Sequence, residues 1–395
     1  CSFVGDARKE SIDAVMGAAA LKKTGACRRV VVAGCMVNRY GGRLAELMPE
    51  ADAFIDTSNL EDIASVCAGA AMLVSEKPGS FLYDEKTPRQ RATLKHTAYI
   101  KISEGCSHKC AFCAIPLMKG RMTSRPEGSI VREAQKLADD GVVEINLVSQ
   151  DTTAYGFDLH KKPMISRLLK KLVRVNGIRW IRLLYCHPDS VGNDLLDVMA
   201  GEEKVCKYLD VPFQHADDRV LKSMGRTGTY EKYIKLLERA RGKVSGIAVR
   251  SAFILGFPGE TGSAFRRLMR FIGEARLEKA GFFVYSPEEG TASFGMKGGS
   301  GLSVAKKRLG QAAGLQSRIS LEINLAKTGT VTEVLADSAS ENGHTAVGRT
   351  RSDAPDVDGR VYVKASGGSK INPGQILDVE IDGVSEYDLF GDAVK

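Results

Sequence analysis

Three cysteines fall within eight residues, in the run Cys106-Ser-His-Lys-Cys110-Ala-Phe-Cys113. A C-x3-C-x2-C spacing brings three thiolates onto one loop. That suits a [4Fe–4S] cluster, in which each iron takes one terminal ligand and the fourth iron is left open. An open iron can chelate the amino and carboxylate groups of S-adenosylmethionine and pass an electron to its sulfonium. Homolysis then gives a 5′-deoxyadenosyl radical, which abstracts hydrogen from an unactivated carbon. Structural zinc competes with this reading, because His108 or His96 could complete a Cys3His set. Against zinc, its structural sites usually arrange their ligands as two separated pairs.

The elements around the triplet must hold it in place. Strand-like runs at 99–103, 142–149, 178–186, 208–213, 248–255 and 281–285 alternate with helical stretches such as 128–140 and 230–243. Six βα units of this spacing predict a parallel sheet curled into a full or partial barrel. Chemistry in such barrels collects at the C-terminal ends of the strands, and the cysteine loop directly follows the first of them. Upstream, helical runs at 6–23 and 60–71 alternate with β-branched runs at 29–34 and 51–55, which reads as a small α/β domain. The charged, aperiodic stretch 83–96 reads as a linker. Downstream, turn signals every few residues (Asn342-Gly343, Asp358-Gly359, Asn372-Pro-Gly374) separate short β-rich runs. They predict a small antiparallel barrel suited to macromolecular recognition.

The chain has 395 residues, enough for two or three domains, with 43% hydrophobic and 26% charged residues. These values exclude a disordered chain. No apolar run approaches the ~20 residues of a membrane span. Nine cysteines, an odd number spread along the chain without a secretory leader, argue against a disulfide framework. A reducing, cytoplasmic setting is expected. The formal net charge of +8 is only a mild bias towards an anionic partner.

The run from Tyr99 to Pro116, continued by Lys119-Gly-Arg-Met-Thr-Ser-Arg125, resembles the radical S-adenosylmethionine methylthiotransferases. Val148-Ser-Gln-Asp-Thr-Thr-Ala-Tyr-Gly156, Tyr208-Leu-Asp-Val-Pro-Phe-Gln-His215 and Leu255-Gly-Phe-Pro-Gly-Glu-Thr261 match as well. The likeness covers essentially the whole chain. It implies an α/β multidomain fold: a small α/β N-terminal cluster domain (1–80), a linker (83–96), a partial (β/α)6 radical-SAM barrel (97–323) and a C-terminal small β-barrel of the TRAM type (325–395).

The resemblance also implies two [4Fe–4S] clusters and S-adenosylmethionine. One cluster would sit on Cys106, Cys110 and Cys113. The other uses three cysteines of the N-terminal domain, of which Cys1 and Cys35 match the second and third. The first has no counterpart here, so the N-terminal cluster lacks a ligand in this chain. Because Cys1 lies mid-motif, the missing ligand is expected upstream of it. Cys27, Cys67, Cys186 and Cys206 match no ligand position and read as core or neutral surface residues.

Gln150, Asp151, His187, His215 and the Leu255–Glu260 segment follow barrel strands on the active face. Each could bind cofactor or substrate, or serve the fold, and no residue is assigned to catalysis or to S-adenosylmethionine binding. The glycines of the Leu255–Glu260 run would allow close approach of an adenosine.

Two subfamilies compete. One modifies a tRNA isopentenyladenosine, the other an aspartate of small-subunit ribosomal protein twelve. Residues 326–395 hold seven basic and twelve acidic side chains. An RNA-gripping barrel should be basic, whereas an acidic one suits a basic ribosomal protein. The ribosomal-protein subfamily is therefore expected, with tRNA and membrane not expected as partners. The family mechanism implies that one S-adenosylmethionine methylates a sulfur at the N-terminal cluster. A second yields the radical that activates the aspartate β-carbon. Electrons would come from a donor such as flavodoxin or ferredoxin.

Overall fold

Strand alternation sets the architecture. In the first barrel strand, Thr97–Lys101, the side chains of Ala98 and Ile100 are buried against the surrounding helices, and Tyr99 faces the opposite way. Ile145 and Leu147, Ile181 and Leu183, Leu209, and Val249 repeat the outward pattern in the following strands, as the period-2 pleat requires. The helices answer with apolar stripes. Ile130, Ala134 and Leu137 are buried along Glu127–Asp139, and Tyr233, Leu236, Leu237 and Ala240 along Tyr230–Lys243. The Thr229 hydroxyl accepts a bond from the Lys232 N–H at 3.2 Å and so caps the second of these helices. The computed structural model describes residues 1–70, 74, 75, 79 and 81–394.

The six barrel strands are Thr97–Lys101, Glu144–Val148, Trp180–Leu183, Tyr208–Asp210, Ala248–Leu255 and Lys279–Val284. They form two three-stranded parallel halves instead of one continuous sheet. An isolated bridge between Ile181 and Val205 and the bond from Cys186 N–H to the Asp210 carbonyl (2.8 Å) stitch the third strand to the fourth. The fourth strand is shorter than the expected 208–213 because Pro212 has no N–H to donate.

The N-terminal part carries a two-stranded parallel sheet, Val31–Ala33 with Ala53–Ile55, flanked by the helices Gly5–Ala20 and Cys35–Tyr40. The expected helix at 60–71 is a 3-10 turn followed by Ile63–Ala68, and the expected end at Ala71 lies outside the described residues. The stretch 83–96 contains neither helix nor strand, yet it is laid against the barrel. The Tyr83 hydroxyl accepts from Lys101 N–H at 2.9 Å, and Arg89 pairs with Glu133 at 2.9 Å. A 24-residue helix, Leu302–Leu325, then packs back on the last barrel strand and buries Ala305, Ala312 and Ile319. The sequence reading did not single it out.

Residues 331–393 form a closed five-stranded barrel. It is not wholly antiparallel, because Val361–Lys364 pairs in parallel with Leu389–Ala393. This barrel closes the N-terminal end of the larger one. Leu335 and Ala354 pack on Trp180, Tyr208 and Ala248 inside the lumen. Beside them, Glu144 bonds Arg182 (3.2 Å) and Arg349 (2.7 Å), Arg349 continues to Asp337 (2.7 Å), and Asp337 meets His96 (3.1 Å). Burial opposes ionisation of Glu144, but Arg349 and Arg182 outweigh it and hold the carboxyl below its usual range.

Several acids behind the net negative charge of the small barrel are used inside the protein. Asp353 is buried against Lys279, and Asp358 bonds the Tyr208 hydroxyl at 2.6 Å and faces Arg250 at 3.5 Å. Asp337 and Glu333 are spent on Arg349 and Arg351. Asp378, Glu380, Asp382 and Asp392 remain exposed on two neighbouring strands.

Candidate active site

The cysteine loop leaves the first barrel strand through Gly105, whose φ of +79° suits only glycine here because a β-carbon would collide with the Arg121 carbonyl. Backbone bonds fix its course. Cys106 N–H donates to the Gly120 carbonyl (3.1 Å), and Ala111 N–H to the Met224 carbonyl (2.9 Å). Gly225 (φ +73°) lets that bracing turn approach, since a β-carbon would lie 2.6 Å from the Lys109 carbonyl. All three thiols are half-buried. Burial pushes Cys113 up to about 12 and Cys106 upward as well, so both must lose protons on taking a metal.

The triplet opens into a cavity of about 470 Å³. Its wall includes Gln150 and His187, and beside them Tyr185, Gln214, Arg226 and Phe3. Among these, Gln150 Oε1, His187 Nδ1 and Arg226 Nε are buried with no hydrogen-bond partner. Orphaned polar atoms of this kind mark a place for a polar ligand, as S-adenosylmethionine is. Arg226 bonds His187 Nε2 (2.6 Å) and donates towards the Cys110 sulfur at 3.8 Å. The donor set fits an iron–sulfur cluster better than zinc. His96 is held by Asp337 at the other end of the barrel, and His108 by Asp151 at 2.7 Å. Among the described residues no three metal-binding side chains converge on one ion.

The pattern of the Radical SAM superfamily matches residues 100–272, and that of the TRAM domain residues 328–394. A ribosomal protein uS12 methylthiotransferase RimO from Pelotomaculum thermopropionicum is 43% identical to this chain, over 100% of it and 89% of that protein. The protein of the same name from Myxococcus xanthus is 42% identical, over 100% of this chain and 83% of its own length. The chain belongs to the RimO family of radical SAM methylthiotransferases.

Within this member of the RimO family, the other residues singled out from sequence divide by role. Asp151 caps the turn after the second strand, accepting from Thr153 N–H (3.0 Å) and the Thr153 hydroxyl, and also holds His108. Gln150 donates to Glu104 at 3.2 Å and keeps its carbonyl oxygen free at the cavity. His187 lines the cavity, whereas His215 is buried and faces Glu260 at 3.4 Å. Glu260 also takes the Gly256 N–H (2.9 Å) and pairs with Arg308 (2.6 Å). A β-carbon on Gly256 would meet Ala305 at 2.7 Å, so that glycine lets the helix Leu302–Leu325 pack closely.

Cys35 begins the helix Cys35–Tyr40, and Arg39 of that helix bonds Ser2 and pairs with Glu288 at 2.9 Å. Ser2 in turn reaches Met118 at 3.2 Å, in the helix just after the cysteine triplet, and Phe3 enters the cavity wall. Cys1 and Cys35 therefore belong to the part of the N-terminal domain that leans on the triplet's loop. Cys186 and Cys206 are buried in the core, Cys67 is exposed and Cys27 half-buried. Sequence reasoning missed Arg226, Tyr185 and Gln214. An arginine after a short helix carries no motif, and nothing local announces the backbone conformation of the other two.

Proposed function

We propose that this chain methylthiolates the β-carbon of an aspartate in small-subunit ribosomal protein twelve, with S-adenosylmethionine as methyl donor and radical source. The position of Cys106, Cys110 and Cys113 carries the reading. They lie at the C-terminal end of the first barrel strand, on a cavity edged by unpartnered polar atoms. When bound, a [4Fe–4S] cluster with S-adenosylmethionine supplies radical chemistry that takes hydrogen from an unactivated carbon. The chain's own residues hold the three thiols in a braced loop and set a guanidinium beside Cys110. They also line the opening with Phe3, Phe112 and Ile115, which limits access of water. No described helix is long and apolar enough to cross a membrane.

Cys1 and Cys35 would be two ligands of a second cluster, which would supply the sulfur to be transferred. Flavodoxin or ferredoxin is the electron donor, in the cytoplasm. The exposed acids of the small barrel favour a basic protein over tRNA. Glu380 stands directly opposite Asp392 in register, a like-charge pair that opposes strand pairing and would repel phosphates.

The test is mass spectrometry of purified ribosomal protein twelve and of isopentenyladenosine-containing tRNA after incubation with the reconstituted enzyme. A methylthio group on the protein supports the reading, and one on the tRNA alone overturns it. Cys106→Ala, Cys110→Ala and Cys113→Ala together should abolish 5′-deoxyadenosine formation. The circular dichroism of the fold should persist, since the barrel core does not include these thiols. Cys35→Ala should stop methylthio transfer while 5′-deoxyadenosine still forms.

A further inference from the structure

Tyr185 (φ +61°) and Gln214 (φ +71°) hold a left-handed backbone that residues with a β-carbon rarely adopt, and both line the cavity. The other described non-glycine residues of this kind, Lys161, Arg276 and Asp356, are not in its wall. Such a conformation persists only where the surroundings impose it, and it clusters at functional sites.

The surroundings here are explicit. Tyr185 N–H donates to Asp210 Oδ2 at 3.0 Å, and its carbonyl accepts from Thr152 N–H at 3.0 Å and from the Thr152 hydroxyl at 3.2 Å. Gln214 N–H donates to the Ala252 carbonyl, and its own carbonyl accepts from Ile254 N–H, both at 2.8 Å. Each backbone is clamped on both sides. The side chains receive nothing in return. Tyr185 is 51% exposed, and neither its hydroxyl nor the Gln214 carboxamide bonds any described residue. Of the guanidinium groups of the cavity, Arg226 spends both terminal nitrogens on His187 and the Pro212 carbonyl and keeps only Nε open, and Arg250 is held by Asp210 and Asp358. Two clamped backbones thus aim two unspent neutral donors at the space beside the cysteine triplet.

We propose that Tyr185 and Gln214 form the seat of the substrate. The Gln214 amide and the Tyr185 hydroxyl donate hydrogen bonds to the carboxylate of the target aspartate, and the Tyr185 ring packs on the flanking chain. Placing the carboxylate this way fixes which carbon faces the site of radical chemistry. The proposal rests on the aspartate reading given above.

The test uses the reconstituted enzyme and purified ribosomal protein twelve, with Tyr185→Gly, Gln214→Gly and Tyr185→Phe. Three quantities are read: the Kd for the protein substrate, the split between KM and kcat, and the melting temperature. Glycine adopts the required backbone freely, so both glycine variants should melt at or above the wild-type temperature. Both should bind the substrate at least about tenfold more weakly, with KM rising, as loss of an interface anchor predicts. Tyr185→Phe keeps the ring and should lose only part of the affinity. A glycine variant that binds as tightly as wild type overturns the seat. So does one that binds weakly because its melting temperature has fallen, since the side chain would then serve the fold. If wild-type enzyme leaves the ribosomal protein unmodified, it is the substrate reading that fails.

Discussion

His187 lies flat against His108, with ring centroids 3.9 Å apart and planes 10° from parallel. Asp151 holds the far edge of His108, and Arg226 bonds His187. Burial, with Arg226 and His108 nearby, pushes His187 down to about 4, so at neutral pH it is the uncharged acceptor of the Arg226 bond. His108 sits between Cys106 and Cys110 in sequence, so this four-membered chain ties the cysteine loop to the loops after later strands. Asp151→Ala should cost about 2 kcal/mol, because it strips a buried charged acceptor from His108 and from the Thr153 turn. Urea unfolding checks this, and iron uptake during reconstitution should slow in parallel.

Arg349 is the main link between the two barrels. Replacing it with Met leaves buried Glu144 with Arg182 as its remaining cation, beside the Thr97 hydroxyl, and removes one partner of Asp337. Breaking a buried pair from one side costs about 3–5 kcal/mol. Equilibrium unfolding of Arg349→Met should show a loss of that size. A matching loss of no more than about 0.5 kcal/mol, the range of ordinary surface substitutions, would contradict the assignment.

Acid should loosen the same joint. Burial opposes the ionisation of Asp337 and Asp353, but His96 and Arg349 for the first, and Lys279 for the second, hold both below the usual range. Glu144 is shifted in the same direction. A carboxyl with a lowered folded pKa contributes stability above its unfolded value, and that stability is lost as pH falls through the folded value. The unfolded values lie near 4, so the melting temperature should be flat above about pH 5 and drop steeply below about pH 4. Asp337→Asn should flatten the drop.

Charge reversal should separate docking from folding. Asp378→Lys, Glu380→Lys and Asp382→Lys, all exposed on one strand, should weaken substrate capture and leave the melting temperature within a few degrees. Asp353→Lys should instead destabilise the protein, because it buries a second cation against the half-buried Lys279. Capture by the wild type should also weaken as salt shortens the Debye length towards ~3 Å near 1 M. Binding that ignores both salt and these reversals would rule out the acidic strands as the docking face.

Local chemistry explains how much the sequence revealed. Ala248–Leu255 and Tyr230–Lys243 lie where periodicity put them, because no proline interrupts either apolar pattern and the one glycine, Gly242, falls in the last turn of the helix. The fourth barrel strand was read too long because burial of Val211 and Phe213 mimics a strand that Pro212 ends. Cys106, Cys110 and Cys113 were legible because ligand spacing is written along one loop. Arg226, Tyr185 and Gln214 were not, since their roles depend on partners from other strands and on a backbone sign that composition does not encode. Counting acids in 326–395 misjudged Asp353 and Asp358 for the same reason. A formal charge says nothing of which face it occupies.

The small barrel stops the end of the larger one opposite the cysteines, and the cavity beside Phe3 and the triplet is the doorway at the other end. The strand Ala248–Leu255 spans the chamber from stopper to doorway, about 26 Å at ~3.3 Å per residue. A partner that rests on the stopper and offers a residue at the doorway must itself bridge that span. The enzyme should therefore discriminate by reach. A folded protein with a projecting loop qualifies, and a free peptide of a few residues does not, however well its aspartate fits.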